Sequence, residues 1–165
     1  MATICGRNRA ARLRFAGAGG SYPATYKDET GMWKAIGAGV VYAAAVFGLA
    51  FLTGALRTVV VATFGLPPVA GVIVELPLLL LAAWVICGLV AARMQVSVDP
   101  GVRILMAVTA LIVMLSAEFA LSALVIGRSL PQFLASYERP EAMLGLVGQL
   151  VFAAFPVIEA RRARG

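Results

Sequence analysis

Four long apolar stretches follow residue 34 and limit what this chain can fold into. The first, residues 35–56, carries no charge, and as a helix rising about 1.5 Å per residue it crosses a hydrocarbon layer of about 30 Å. The others lie at about residues 69–93, 101–126 and 142–158. With 61% hydrophobic and 13% charged residues, the composition is not that of a soluble domain. The sequence therefore predicts an all-α integral membrane protein, a four-helix bundle over residues 32–165.

The segment after the first span is ambiguous because it stays apolar. Residues 58–66 continue the hydrophobic run as far as two prolines, yet one straight helix through them would carry Arg57 into the membrane, which is costly for a charge. We therefore expect a break near residues 54–57 and a short interfacial segment over 58–66.

The later connections carry recognisable helix signals. Asp99 followed by Pro100 predicts the start of the third span, since a carboxylate caps the first turn and proline suits its first position. Residues 130–138 predict a short interfacial helix opened by a capping box of Ser129 and Gln132. The acidic residues at helix ends and links are expected to be solvated, and they are Asp99, Glu138, Glu141 and Glu159.

Residues 1–31 differ from the rest of the chain. They hold several arginines among alanines and glycines, with no acid before Asp28. No apolar run follows these arginines directly, which excludes a secretory signal, whereas an arginine-rich, acid-poor start is also typical of an organellar transit peptide. We expect a disordered basic tail, and Met32, just before Trp33 and Lys34, is a candidate for the true start.

The basic residues predict an orientation. With four spans, the side of both termini holds eleven lysines and arginines and the opposite side three. The positive-inside rule then places both termini in the cytoplasm of a bacterial cell, with the bundle in the inner membrane. No basic patch with interleaved aromatic residues is present, so the lipid bilayer is the expected partner and nucleic acid is not.

Polar residues in three different spans fall at similar depths below the outer surface. Helix rise places Glu75 about 9 Å, Glu118 about 12 Å and Gln149 about 10 Å deep. Thr53 and Arg57, at the outer end of the first span, are close enough to join this layer. A carboxylate facing lipid costs about 2.5 to 3.5 kcal/mol, so both glutamates are expected to face the bundle interior, with Arg57 and Glu75 as the expected ion pair.

Two functions fit this polar layer. In the first, it is a buried Glu/Arg/Gln network that fixes helix register in a structural or accessory protein, a homo-oligomer or a subunit of a larger membrane complex. In the alternative, Glu75 and Glu118 bind a proton or cation in a small transporter or channel-like protein. The chain has no histidine, and no metal-ligand cluster or nucleophile with a base is evident. We therefore predict no enzyme activity, catalytic residue, metal or cofactor.

Several short motifs carry a resemblance, which covers about residues 33–158. They are Gly54-Ala55-Leu56-Arg57, Glu75-Leu76-Pro77, Ala83-Trp84, Ala117-Glu118, Gly127-Arg128-Ser129, Gly148-Gln149 and Pro156. Together they resemble a group of small bacterial inner-membrane proteins with four helices and no assigned activity. The resemblance implies the membrane fold and no particular chemistry.

Overall fold

The computed structural model describes residues 24–164, and side chains from Thr30 onward. Its elements are α1 (Ala24–Phe64), α2 (Pro68–Arg93), α3 (Pro100–Ile126), α4 (Leu130–Ala135), a 3₁₀ turn (Ser136–Glu138) and α5 (Pro140–Arg162). In this part of the chain, four helices are long and apolar enough to cross a membrane, namely α1, α2, α3 and α5. The predicted class, an all-α chain with four long apolar helices, is confirmed. Of the tail predicted over residues 1–31, residues 1–23 lie outside the described residues. α1 begins at Ala24, within the remaining part.

The four long helices form a closed ring. α1 packs against α2 and α3, and α5 packs against the same two helices, so α1 and α5 face each other across the ring. Tyr42 of α1 bridges this diagonal, because its hydroxyl donates to the carbonyl of Phe152, 3.1 Å away. The aromatic rings of Tyr42 and Phe152 also stack, with their centroids 4.3 Å apart. This contact closes the centre of the bundle.

The buried apolar core occupies one half of the bundle, here called the core half. This half contains the beginning of the α1 span, the end of α2, the beginning of α3 and the end of α5. Its fully buried residues include Ala35, Ala38, Tyr42, Ala83, Cys87, Met106, Ala110 and Phe152. The opposite half, here called the open half, contains the end of α1, the beginning of α2, the end of α3 and the beginning of α5. Few buried residues lie there.

The predicted break after the first span is wrong. α1 continues without interruption to Phe64, so residues 58–66 form no separate interfacial segment. The prediction rested on the cost of burying Arg57 alone, but Arg57 makes an ion pair with Glu75 at 3.2 Å. Because its charge has a partner inside the protein, the helix need not break to expose it. α1 ends before Gly65, whose φ of +62° is a left-handed conformation that favours glycine.

The other helix signals are confirmed. A carboxylate oxygen of Asp99 accepts hydrogen bonds from the backbone N–H groups of Gly101 at 2.8 Å and Val102 at 3.3 Å, as an N-cap does. The short helix after α3 is present as α4 and the 3₁₀ turn. At its start, the Gln132 side-chain oxygen accepts from the Ser129 N–H at 2.9 Å.

Candidate functional site

A cavity of about 230 Å³ lies between the helices in the open half. We call it the chamber. Its polar lining consists of Arg57, Glu75, Glu118, Glu141 and Gln149, and each of the four long helices contributes at least one of these residues. Apolar side chains complete the wall, including Leu76, Met114 and Phe152. The structure therefore brings polar residues of separate spans to one cavity.

One side of the chamber is a charge-compensated pair between α1 and α2. The Arg57 guanidinium lies 3.2 Å from one oxygen of the Glu75 carboxylate, and the Thr53 hydroxyl donates to the other oxygen. Gly71 leaves room for this arrangement, since a Cβ there would lie 2.7 Å from the Arg57 side chain. All three side chains that the sequence placed at this end are therefore in contact.

The other side of the chamber holds a carboxylate of a different kind. The amide nitrogen of Gln149 donates to one oxygen of Glu118, and the Tyr137 hydroxyl donates to the other at 3.4 Å. Over residues 30–164, no lysine or arginine lies within ion-pair distance of Glu118. Neutral donors alone hold this carboxylate in a membrane-spanning helix.

Two buried polar atoms in the described residues have no hydrogen-bond partner, and both lie close to Glu118. They are the amide oxygen of Gln149 and the hydroxyl of Ser122, which is about one helical turn after Glu118. Gln149 is only 9% exposed. Its amide nitrogen faces the Glu118 carboxylate, so its oxygen is left over, and an unsatisfied buried acceptor costs about 1 to 3 kcal/mol. Gln149, which lines the chamber, thus carries an acceptor that nothing within the described chain satisfies.

Sequence reasoning missed a second polar cluster, which lies in the core half. Arg103 is only 5% exposed and pairs with Glu159 at 3.2 Å. Its guanidinium also donates to the carbonyls of Ser97 at 2.9 Å and Val96 at 3.3 Å. The Cys87 thiol lies 3.6 Å from the Glu159 carboxylate, to which it donates. The expectation that Glu159 is solvated holds only in part, because its carboxylate pairs with Arg103 while its side chain stays 29% exposed.

A signal for this cluster was present in the positions of its two charges. Arg103 comes after the Asp99 cap, within the first turn of α3 rather than before it. Glu159 lies inside α5, ahead of its final arginines. Both charges thus belong to helices and not to links, and proximity between the beginning of α3 and the end of α5 follows once those helices are antiparallel neighbours.

The fold and the chamber define the class to which the chain belongs, a helical protein with four potential membrane spans and a polar cavity between them. Among the described residues, no group of three or more His, Cys, Asp or Glu side chains is arranged to hold a metal ion. No model of a known protein family, no curated protein and no solved structure is significantly similar to the chain. The resemblance to small bacterial inner-membrane proteins stays a prediction, and any function must be argued from the chamber.

Proposed function

We propose that this protein is a small multi-pass membrane protein of the transporter or channel type, which takes up a proton or a cation in the chamber. The observation that supports this proposal is the Glu118 carboxylate, which faces a cavity with no cationic partner among the described residues. Intramembrane carboxylates in such positions mark ion and proton pathways. The role is binding and transfer, with no enzymatic reaction.

The two intramembrane glutamates have different roles in this proposal. Glu75 already has Arg57 and Thr53 as partners, so it fixes α1 against α2 and positions one wall of the chamber. Glu118 has only neutral partners, so its negative charge is free to attract a proton or cation. From the sequence alone the two residues carry equal weight, whereas their contacts favour Glu118 as the binding group.

A structural or accessory function is the second candidate, and a separate observation favours it. Polar contacts between helices occur at both ends of the bundle. Arg57 to Glu75 joins α1 to α2, and Arg103 to Glu159 joins α3 to α5. Such pairs fix the register of neighbouring helices, which is what a subunit of a homo-oligomer or of a larger membrane complex requires. Isolation from native membranes in mild detergent tests whether such a partner copurifies.

The proposal includes a location and an orientation. We propose the inner membrane of a bacterial cell with both termini in the cytoplasm, supported by the excess of lysine and arginine on that side. The chamber then opens nearer the outer surface. A reporter enzyme active only in the cytoplasm, fused after the C-terminus, is expected to be active, and an inactive fusion with an active periplasmic counterpart would reverse the orientation.

Proteoliposomes that contain the purified full-length protein test the proposed uptake. A proton or potassium gradient is imposed, and internal pH and cation content are followed with trapped dyes. We expect flux with the wild-type protein and its loss in Glu118→Gln. Glu138→Gln is the matched control, because Glu138 is an exposed glutamate of the adjoining 3₁₀ turn. Folded Glu118→Gln protein with unchanged flux would overturn the proposal, and so would absence of flux in the wild type.

A further inference from the structure

The charges that line the chamber leave one negative charge without a counter-charge. Three carboxylates and one guanidinium face the cavity. Glu75 pairs with Arg57 at 3.2 Å, and Glu141 pairs with Arg139 at 3.6 Å. Glu118 is therefore the one chamber carboxylate without a cationic partner among the described residues. A ligand with a single positive charge would balance its negative charge.

The free oxygen atoms around Glu118 are too few for a bare metal cation. An ion such as calcium exchanges its water shell for about six to eight oxygen ligands. Here the available acceptors are the Glu118 carboxylate and the two orphaned oxygens, of the Gln149 amide and the Ser122 hydroxyl. The metal-ligating side chains of the described chain form no cluster of three or more. This donor set suits a cation that needs only two or three acceptors.

An ammonium group meets that requirement, because each of its N–H bonds seeks one acceptor. The Glu118 carboxylate supplies the counter-charge, and the Gln149 amide oxygen supplies a second acceptor that is buried and has no other partner. Near these atoms the wall is apolar, with Leu76, Met114 and Phe152. The lining thus favours a ligand with one charged end and one apolar end.

The size of the chamber limits that apolar end. A dry cavity of about 150 Å³ is enough for benzene, and the chamber measures about 230 Å³. One ring with a short aminoalkyl arm fits such a volume, and so does a short branched alkylamine. Gly148 marks the limit at one edge, since a Cβ there would lie 2.5 Å from the end of the Leu76 side chain.

Together these observations identify a ligand class. Resting on the proposed function, we propose that the chamber binds a small organic ammonium ion with an apolar substituent. The nitrogen lies between the Glu118 carboxylate and the Gln149 amide oxygen, and the substituent packs on Leu76, Met114 and Phe152. The ligand must donate an N–H bond, so a primary or secondary ammonium is preferred to a quaternary one.

Calorimetric titration of the full-length protein in lipid nanodiscs tests this inference, with empty nanodiscs titrated alongside to subtract partition into lipid. The probes are benzylammonium, benzyl alcohol, benzyltrimethylammonium and sodium chloride. Benzyl alcohol keeps the ring and loses the charge, and benzyltrimethylammonium keeps the charge and loses the N–H bonds. We expect benzylammonium to bind at least about tenfold more tightly than each of the others, as one charge-assisted hydrogen bond provides.

Three variants locate the binding. Glu118→Gln is expected to weaken benzylammonium binding by about tenfold or more. Gln149→Leu removes one of the two acceptors and is expected to reduce the preference for benzylammonium over benzyltrimethylammonium, while the Glu118 carboxylate keeps part of it. Glu138→Gln, outside the chamber, is expected to leave the affinity unchanged. Gln149→Leu keeps the test decisive if Glu118→Gln does not fold, because it changes the preference between two ligands and not only the affinity.

The outcomes separate this inference from the proposed function. Binding of sodium, or proton uptake, that depends on Glu118 without binding of benzylammonium would overturn the ligand class and leave the proposed function standing. Absence of any cation or proton effect would overturn both. Benzylammonium binding that neither chamber variant changes would place the ligand elsewhere and overturn the inference.

Discussion

The two halves of the bundle use charged residues in opposite ways. In the core half, Arg103 is buried, pairs with Glu159 and donates to two backbone carbonyls of the link between α2 and α3. In the open half, Glu118 faces a cavity, and only neutral groups hold it. An intramembrane charge whose partners are all internal stabilises the fold, whereas one with an incomplete set of partners is available to a ligand.

The glycines of α1 show the same contrast in packing. A Cβ at Gly39, in the core half, would lie 2.7 Å from the backbone oxygen of Met106 and 2.8 Å from Thr109. A Cβ at Gly48 or Gly54 would meet nothing within 4 Å. α1 and α3 therefore approach closely at Gly39, whereas open space lies beside Gly54, which lines the chamber.

Removal of the buried guanidinium is expected to have the largest effect. Arg103→Met leaves the Glu159 carboxylate without its charge partner and the carbonyls of Val96 and Ser97 without donors. Loss of one member of a fully buried ion pair costs about 3 to 5 kcal/mol, and because the Glu159 side chain is 29% exposed, the expected loss lies at or below the lower end of that range. Unfolding by sodium dodecyl sulfate in mixed micelles, followed by tryptophan fluorescence, measures the loss. Arg93→Met is the control, since Arg93 is exposed. Equal stability of the two variants would show that the Arg103 ion pair does not stabilise the core half.

The close approach of α1 to α3 at Gly39 is expected to make this position sensitive to substitution. Gly39→Ala forces α1 away from the α3 backbone, and overpacking of this kind costs about 1 to 3 kcal/mol. Gly48→Ala is the matched variant on the same helix, where alanine adds helix propensity without a clash and is expected to stabilise by up to about 1 kcal/mol. The same unfolding assay measures both. Because Gly48 is exposed, equal effects at the two positions would show that Gly39 is not closely packed against α3.

The sequence predicted more of the open half than of the core half, and the reason is physical. Helix rise gives depth directly, so Glu75, Glu118 and Gln149 were placed in one layer without knowledge of which helices touch. Arg103 and Glu159 lie near helix ends, where a charge is inexpensive in any arrangement, so depth alone gave no reason to pair them. Their contact depends on the α3 and α5 adjacency, which only the packed fold supplies.

The erroneous break in α1 has a related cause. The cost of placing the Arg57 charge alone in the membrane predicted that the helix breaks near this residue, although the same sequence predicted Glu75 as its partner. Once the pair forms, the cost that motivated the break is largely removed, and the helix continues. The free-energy cost of placing charges in a membrane applies to an ion pair as a whole. Predicted ion pairs and predicted helix ends must therefore be considered together.

Neutralising the two contrasting carboxylates is expected to have a smaller effect on stability, and an unequal one. Glu159→Gln leaves the buried Arg103 without a counter-charge and is expected to lower the free energy of unfolding by about 1 kcal/mol or more. Glu118→Gln has the same size and strands no cation, so its expected change is smaller than that of Glu159→Gln. Both are measured by the same unfolding assay. A loss in Glu118→Gln as large as in Glu159→Gln would make the chamber a structural network and favour the accessory function.

The smallest effect concerns Tyr137, which lies outside the spans and reports on the charge of Glu118. Burial raises the pKa of the Tyr137 hydroxyl above its ordinary value, and the charge of Glu118 and the hydrogen bond to it raise this pKa further. Above about pH 10 the unfolded chain loses the phenol proton first. The stability that Tyr137 contributes is therefore complete below that pH and is lost as the pH rises through the raised pKa.

Glu118→Gln removes the negative charge beside this hydroxyl and leaves its burial unchanged. The pKa of Tyr137 is therefore expected to fall part of the way back to its ordinary value, so that the loss of stability at alkaline pH becomes smaller and is complete at a lower pH. Carbon NMR of tyrosine labelled at the ζ carbon measures the titration, with Tyr137→Phe to assign the signal and Glu138→Gln as the control. If Glu118→Gln leaves the pKa unchanged, Glu118 carries no charge next to Tyr137. The open half would then lack the uncompensated carboxylate that distinguishes it from the core half, and cation binding in the chamber would lose its basis.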